Sequence, residues 1–210
     1  MCKMKGIIFD LDGVLCSTDI YHYRAWKEAV APLGINVDES INNKLRGVSR
    51  EQSLEIILKE AGVALTDKQK REICDKKNAI YVGLLSNLSI ADLSENVLNT
   101  LLGLKACGIK IAVGSSSKNT RIILSALGIS DLFDAVADGN EITKSKPDPE
   151  VFLKAAKKLN LSPSDCAVVE DAVSGIEAAK RGGFYAIAIS DACNCPLADK
   201  RIKVLSDILI

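Results

Sequence analysis

From Asp92 onward, short runs rich in Ile, Val and Ala alternate with segments of helical periodicity. Ile109-Lys110-Ile111-Ala112-Val113 reads as a strand. Residues 118–127 read as an amphipathic helix with Ile122, Ile123, Ala126 and Leu127 on one face. Strands follow at 133–137, 166–169 and 186–189, with a weak one at Ile202-Lys203-Val204. Between them Asp148 and Pro149 open a helix as N-cap and first helical residue, and 176–180 lies in another. Residues 5–9 add one more strand near the start. Parallel neighbours need long crossovers, usually helices, so this alternation predicts an α/β fold. The expected core is a Rossmann-like, doubly wound parallel sheet.

One stretch breaks the rhythm. Between about Asp19 and Leu88 there is no convincing strand. Tyr23, Trp26, Val30 and Leu33 recur at helical spacing, and Gly34 stops that helix. Ser49-Arg50-Glu51-Gln52 is a capping box before Leu54, Ile57 and Leu58, in a helix ending at Gly62. Thr66-Asp67-Lys68-Gln69 is a second box, opening a long helix through Ile73 and Ile80. A small all-helical domain is therefore expected at 18–88, inserted into a core made of 1–17 and 89–210.

Charge and hydropathy narrow the function. Lys+Arg and Asp+Glu both number 27, so no global basic field favours nucleic acid or an anionic membrane. No apolar stretch approaches the ~18 residues of a membrane helix. The chain reads early into a strand with no signal-peptide pattern, so a cytoplasmic location is expected, and a monomer. Seven cysteines without paired C-x-x-C sets argue against a disulfide framework or a zinc knuckle, and Cys193 and Cys195 read as ordinary loop thiols.

The polar residues fall at strand ends. Asp10 and Asp12 follow the first strand, Ser115-Ser116-Ser117-Lys118-Asn119 the second, Lys146 comes after the third, and Glu170-Asp171 follow the fourth. Ligands of doubly wound sheets bind beyond the C-terminal strand ends, so these groups are expected at one edge. Each has a plain reading by itself: an acidic loop, a serine turn, a helix start, a helix cap. Their coincidence points to phosphoryl transfer. Clustered carboxylates that one lysine cannot neutralise suit Mg2+ with oxygen ligands. Asp10 is the expected nucleophile, forming an aspartyl phosphate. Asp12 is the expected general acid and base. Ser115 and Lys146 would balance charge on the transferring group. A signalling receiver could also use an aspartyl phosphate on such a sheet, but it needs neither Asp12 nor a helical insert.

"FDLDGVL", "VGSSSKN", "KSKPDP" and "VVEDA" resemble the four ordered motifs of the haloacid dehalogenase superfamily of phosphotransferases. That resemblance implies a mobile helical cap over a Rossmann-like core. It also implies Mg2+ held by Asp10, the Asp12 backbone carbonyl and Asp171, with Glu170 close by. "DIYHYRAWKEAVAPLGI", "LRGVSREQSLEIIL" and "KKNAIYVGLL" are similar to a subgroup acting on small phosphorylated sugars. Members of that subgroup interconvert β-D-glucose 1-phosphate and glucose 6-phosphate through the 1,6-bisphosphate. The resemblance puts Thr18 and His22 near the hinge, coupling cap closure to Asp12. It has Gly47, Val48 and Arg50 line the cap side of the substrate, with Lys77 and Asn78 on a cap helix. Ser117, Lys118 and Asn119 would hold the non-transferring phosphate together with Arg50, and Arg46 adds charge. A mutase needs that second phosphate site, whereas a phosphatase of the same fold, the rival reading, does not. His22, the single histidine, would by its neighbours alone be a solvated helix-start residue. Some features depart from the pattern. Asp92 to Val97 replaces the aromatic-Pro-Gly turn of many members, and Ala172 stands where many have serine.

Overall fold

The computed structural model describes residues 4–45 and 48–209, so Arg46 and Gly47 lie outside the described residues. The chain divides into two compact units, Met1–Ser17 with Leu88–Ile210, and Thr18–Asn87.

The first unit is built on a six-stranded sheet: β1 Gly6–Phe9, β2 Lys110–Gly114, β3 Ala135–Ala137, β4 Cys166–Glu170, β5 Tyr185–Ala188 and β6 Lys200–Arg201. Its order is β3-β2-β1-β4-β5-β6, every pairing is parallel, and β1 is central. Ile8 of β1 stands opposite Ala112 on one side and Val168 on the other. A strand covered on both faces cannot alternate polar with apolar residues, hence the unbroken Gly-Ile-Ile-Phe run. Among the described residues this unit has the α-helices α5 Glu95–Ala106, α6 Thr120–Ala126, α7 Glu150–Leu159 and α8 Val173–Arg181. Val151, Phe152 and Ala155 of α7 and Ile176 and Ala179 of α8 bury one sheet face with Ile8, Ala112 and Val168. Ile7, Phe9, Ile111 and Val113, of opposite parity, are buried too, with α5 packed against β2.

Several boundaries differ from expectation. The helix after β2 begins at Thr120, not 118, because Ser115 and Ser117 turn the chain first. Its phase shifts accordingly, and Leu124 is buried while Ile122 faces solvent. Pro149 occupies the N-cap position of α7, and Asp148 Oδ1 accepts from Glu150 N at 3.0 Å. The last strand is Lys200–Arg201 rather than 202–204.

The second unit is helical: α1 Asp19–Val30, α2 Glu39–Lys44, α3 Arg50–Ala61 and α4 Asp67–Leu85. Both capping boxes form, Ser49 with Gln52 and Thr66 with Gln69, and Gly34 and Gly62 end their helices with left-handed backbone. Such N-caps stabilise by about 1 kcal/mol each. Asp38 caps α2 through Ile41 N. The core gathers Trp26, Val30, Val37, Leu54, Ile57 and Leu58. Leu33 is exposed, because α1 gives way at Ala31 to a 3-10 turn that rotates it off the buried face.

Candidate active site

The acids sit at the C-terminal ends of the two central strands. Asp10 follows β1, with its backbone N–H donating to Val169 O at 3.0 Å. Glu170 ends β4, and Asp171 comes next. One carboxylate oxygen from each of Asp10, Glu170 and Asp171 lies within 4.8 Å of the others. Lys146 reaches in from the loop after β3, beside a cis peptide to Pro147. Its ammonium donates to Asp10 Oδ1 and to Glu170 Oε1, both at 2.5 Å. It also lies 4.7 Å from the centre of the Phe152 ring.

Two of these acids sit against glycines. Gly13 has φ +77°, and a Cβ there would lie 1.9 Å from Asp171 Oδ2. A Cβ at Gly175 would lie 1.9 Å from Glu170 Cδ. Neither position admits a side chain without displacing the acid.

Electrostatics follow from burial and crowding. Burial, then the negative charges of Glu170 and Asp10, push the Asp171 carboxyl up to about 8. Burial also raises Glu170 against the pull of Lys146. Burial disfavours the Lys146 ammonium, but the charges of Asp10 and Glu170 and the bonds to both more than offset this and raise its pKa. Three carboxyl groups crowded around one ammonium resist ionising together, and a bound divalent cation would offset that repulsion. The donors are all hard oxygens, which fits Mg2+. Cys16 beside them is no soft competitor, because burial and then Asp12 and Asp10 hold its thiol protonated.

The serine-rich turn after β2 sits in the same unit. Ser115 is buried, and its Oγ accepts from Ser117 N at 3.2 Å. Ser117 Oγ accepts from Asn119 N at 3.2 Å. Each hydroxyl oxygen is thereby used as acceptor, which leaves its hydrogen to donate. Asn119 is buried and Lys118 exposed. Ala172 gives α8 no side-chain cap, and Glu170 Oε2 instead accepts from Ala172 N at 3.0 Å.

The helical unit holds Thr18, His22, Val48, Arg50, Lys77 and Asn78. Gly47 lies outside the described residues. Arg50 Nη2 donates to Asn78 Oδ1 at 2.8 Å, and Val48 is exposed. Lys77 is 3% exposed, with its Nζ 2.8 Å from His22 Nδ1 and 4.4 Å from the centre of the Tyr81 ring. Tyr81 also stacks on His22 and pairs its hydroxyl with Thr18 Oγ1 at 2.8 Å. Burial, then the charges of Lys77 and Arg50, hold His22 well below its usual pKa. A neutral ring that accepts at Nδ1 carries its proton on Nε2. His22 is therefore a half-buried residue of the first turn of α1, bonded to Lys77 rather than freely solvated.

Sequence reasoning missed Tyr81, the two glycines and Glu150. Glu150 Oε2 accepts from Thr143 N, Thr143 Oγ1 and Lys144 N, tying down the loop that carries Lys146. Its place in "KPDPE" was the one available signal.

Comparison with known proteins gives the family. A family model for haloacid dehalogenase-like hydrolases matches residues 4–183. The chain is 41% identical over 209 residues to the β-phosphoglucomutase of Bacillus subtilis, covering 99% of this chain and 92% of that protein. It is 28% identical to a phosphorylated carbohydrates phosphatase of Thermotoga maritima, covering 88% and 84%. Among solved structures, a β-phosphoglucomutase from Clostridium difficile superposes with a TM-score of 0.90 at 34% identity, covering 98% of this chain and 93% of that one.

Proposed function

Because the chain belongs to the haloacid dehalogenase-like hydrolase family, we propose that it is a phosphomutase interconverting β-D-glucose 1-phosphate and D-glucose 6-phosphate. The route runs through β-D-glucose 1,6-bisphosphate and an aspartyl-phosphate enzyme. The observation that carries the reading is near full-length similarity to a protein named for that reaction, joined to an acid cluster built around Asp10.

In the proposed reaction an Asp10 oxygen attacks phosphorus, and the bond from phosphorus to the sugar oxygen breaks. Asp12 gives that oxygen its proton. In the return direction Asp12 removes a proton from the accepting sugar hydroxyl as phosphorus leaves Asp10. Starting from phosphorylated Asp10, transfer to the 6-hydroxyl of β-glucose 1-phosphate makes the bisphosphate; after it reorients, Asp10 takes the phosphoryl group from the 1-oxygen, releasing glucose 6-phosphate and restoring the phosphorylated aspartate. Asp10, Glu170, Asp171 and the Asp12 backbone carbonyl would hold Mg2+, which supplies positive charge against the phosphoryl oxygens. Lys146 screens Asp10 from Glu170 and keeps the nucleophile oriented. Ser115 would donate to the transferring group, and Ser117, Lys118, Asn119 and Arg50 would serve the other phosphate. A phosphate oxygen surface takes bidentate donors well, which suits Arg50. Thr18, His22 and Lys77 would set the helical unit's contribution.

The second reading, a sugar-phosphate phosphatase, has support in the similarity to the Thermotoga maritima enzyme. One incubation separates them. The protein is mixed with Mg2+, β-glucose 1-phosphate and a trace of the 1,6-bisphosphate, and glucose 6-phosphate and inorganic phosphate are followed together. Glucose 6-phosphate should appear far faster than free phosphate. Stoichiometric release of free phosphate would sink the mutase reading.

A further inference from the structure

The turn after β3 lies against the serine-rich turn after β2 and holds it by its backbone. Gly139 N donates to Ser117 O at 3.1 Å, and Asn140 Nδ2 donates to Lys118 O at 2.9 Å. Upstream, Ser115 N donates to Ala137 O at 3.1 Å. The approach is closer than a side chain allows, since a Cβ at Gly139 would lie 2.2 Å from Ser116 O. The turn is itself locked. Asp138 is 1% exposed. Its Oδ1 accepts from Asn140 N at 2.9 Å, and its Oδ2 accepts from Arg121 Nε at 3.1 Å.

We infer that Asp138, Gly139 and Asn140 are positioning residues that preorganise the 117–119 turn for a phosphate. A trans peptide is planar, with its C=O and N–H pointing opposite ways. Fixing the carbonyls of Ser117 and Lys118 therefore fixes the N–H groups of Lys118 and Asn119 and the start of both side chains. A turn held ready loses less freedom on binding an anion than one that must order first. Asn140 is exposed and touches the turn through one hydrogen bond to a main-chain carbonyl, so its removal loosens the turn without opening the core. Asp138 acts through Asn140 and Arg121 rather than on any ligand. The inference rests on the reading that Ser117, Lys118 and Asn119 serve the phosphate that is not being transferred.

Asn140→Ala and Gly139→Ala test it, against two substrates. KM is measured for β-glucose 1-phosphate, and the rate of Asp10 phosphorylation is measured with acetyl phosphate, which has no second phosphate. Asn140→Ala should raise the sugar-phosphate KM by ~3–10-fold, the scale of one hydrogen bond. Its acetyl phosphate rate should stay within about twofold, since a loss of ground-state binding leaves chemistry untouched. Gly139→Ala should raise KM further. Unchanged KM in both variants overturns the inference. So do equal losses with both phosphoryl donors, which would mark a merely structural role. If wild type releases free phosphate rather than making glucose 6-phosphate, the mutase reading fails, and KM for that hydrolysis still decides the role of the turn.

Discussion

The Lys146 ammonium sits 2.5 Å from the Asp10 carboxylate that is assigned the attack on phosphorus. A second acid, Glu170, takes the same ammonium at the same distance, so one buried cation serves two buried anions. Removing one partner of such a group leaves the others charged and unpaired. Lys146→Met should therefore lower the stability of the metal-free protein by about 3–5 kcal/mol. Millimolar Mg2+ should recover part of that loss by supplying the missing charge. Thermal melts in chelator and in Mg2+ check this, and an unchanged melting temperature in chelator would contradict it.

Asp10 and Asp12 should separate in their chemistry. Asp10→Asn should abolish turnover and leave no phosphorylated protein after acetyl phosphate treatment, because an amide is a poor nucleophile. Asp12→Asn should still be phosphorylated by acetyl phosphate, whose leaving group needs little help. Its mutase turnover should fall by ~10²–10⁴-fold, the usual scale of general acid–base catalysis. If Asp12→Asn lost both reactions equally, proton transfer would not be its role.

Glu150 offers a pH-dependent test of the Lys146 loop. Its carboxyl is held down at about 2, first by the Lys154 ammonium and then by the N–H groups of Lys144 and Thr143. A folded-state value below the unfolded one gives stabilisation that is present above the unfolded pKa and lost as pH falls through the folded one. Glu150→Gln should thus be less stable than wild type at pH 7. The gap should close between the ordinary carboxylate pKa and about 2. Denaturant midpoints for the two proteins across that range provide the comparison, and a gap independent of pH would rule out the charge as the cause.

His22 is the single histidine, so its titration can be followed by NMR without assignment. Burial, then Lys77 and Arg50, lower its pKa. Lys77→Met should move that pKa upward toward the ordinary histidine value while burial keeps it below. No movement would mean the 2.8 Å contact to Nδ1 carries no electrostatic weight.

The sequence made some features legible because their causes are local. Ser49 with Gln52, and Thr66 with Gln69, bond reciprocally within one helical turn, so the pattern alone identifies them. β1 is covered on both faces, and its apolar run ends where Asp10 must emerge. Other features depend on distant partners. His22 looks solvated until Tyr81 and Lys77 arrive from α4. Asn140 and Glu150 work through main-chain atoms, and no residue type signals that. Ile122 and Leu33 were misplaced because periodicity gives spacing, while the starting and stopping points of a helix set its phase. The strand Lys200–Arg201 is short, charged and at the sheet edge, and edge strands of that kind carry little apolar signal.

The central place of β1 has a consequence for how the molecule is made. Ile8 pairs across the sheet with Ala112 on one side and Val168 on the other. At synthesis rates of ~5–20 residues per second, β1 emerges from a ribosome many seconds before either neighbour exists. The helical unit, Thr18–Asn87, is complete in the meantime and carries its own core and caps. The strand that presents Asp10 is thus among the first parts translated and among the last to be enclosed. Until residue 170 has been added, Asp10 waits on a nascent chain that still lacks the acid with which it shares Lys146.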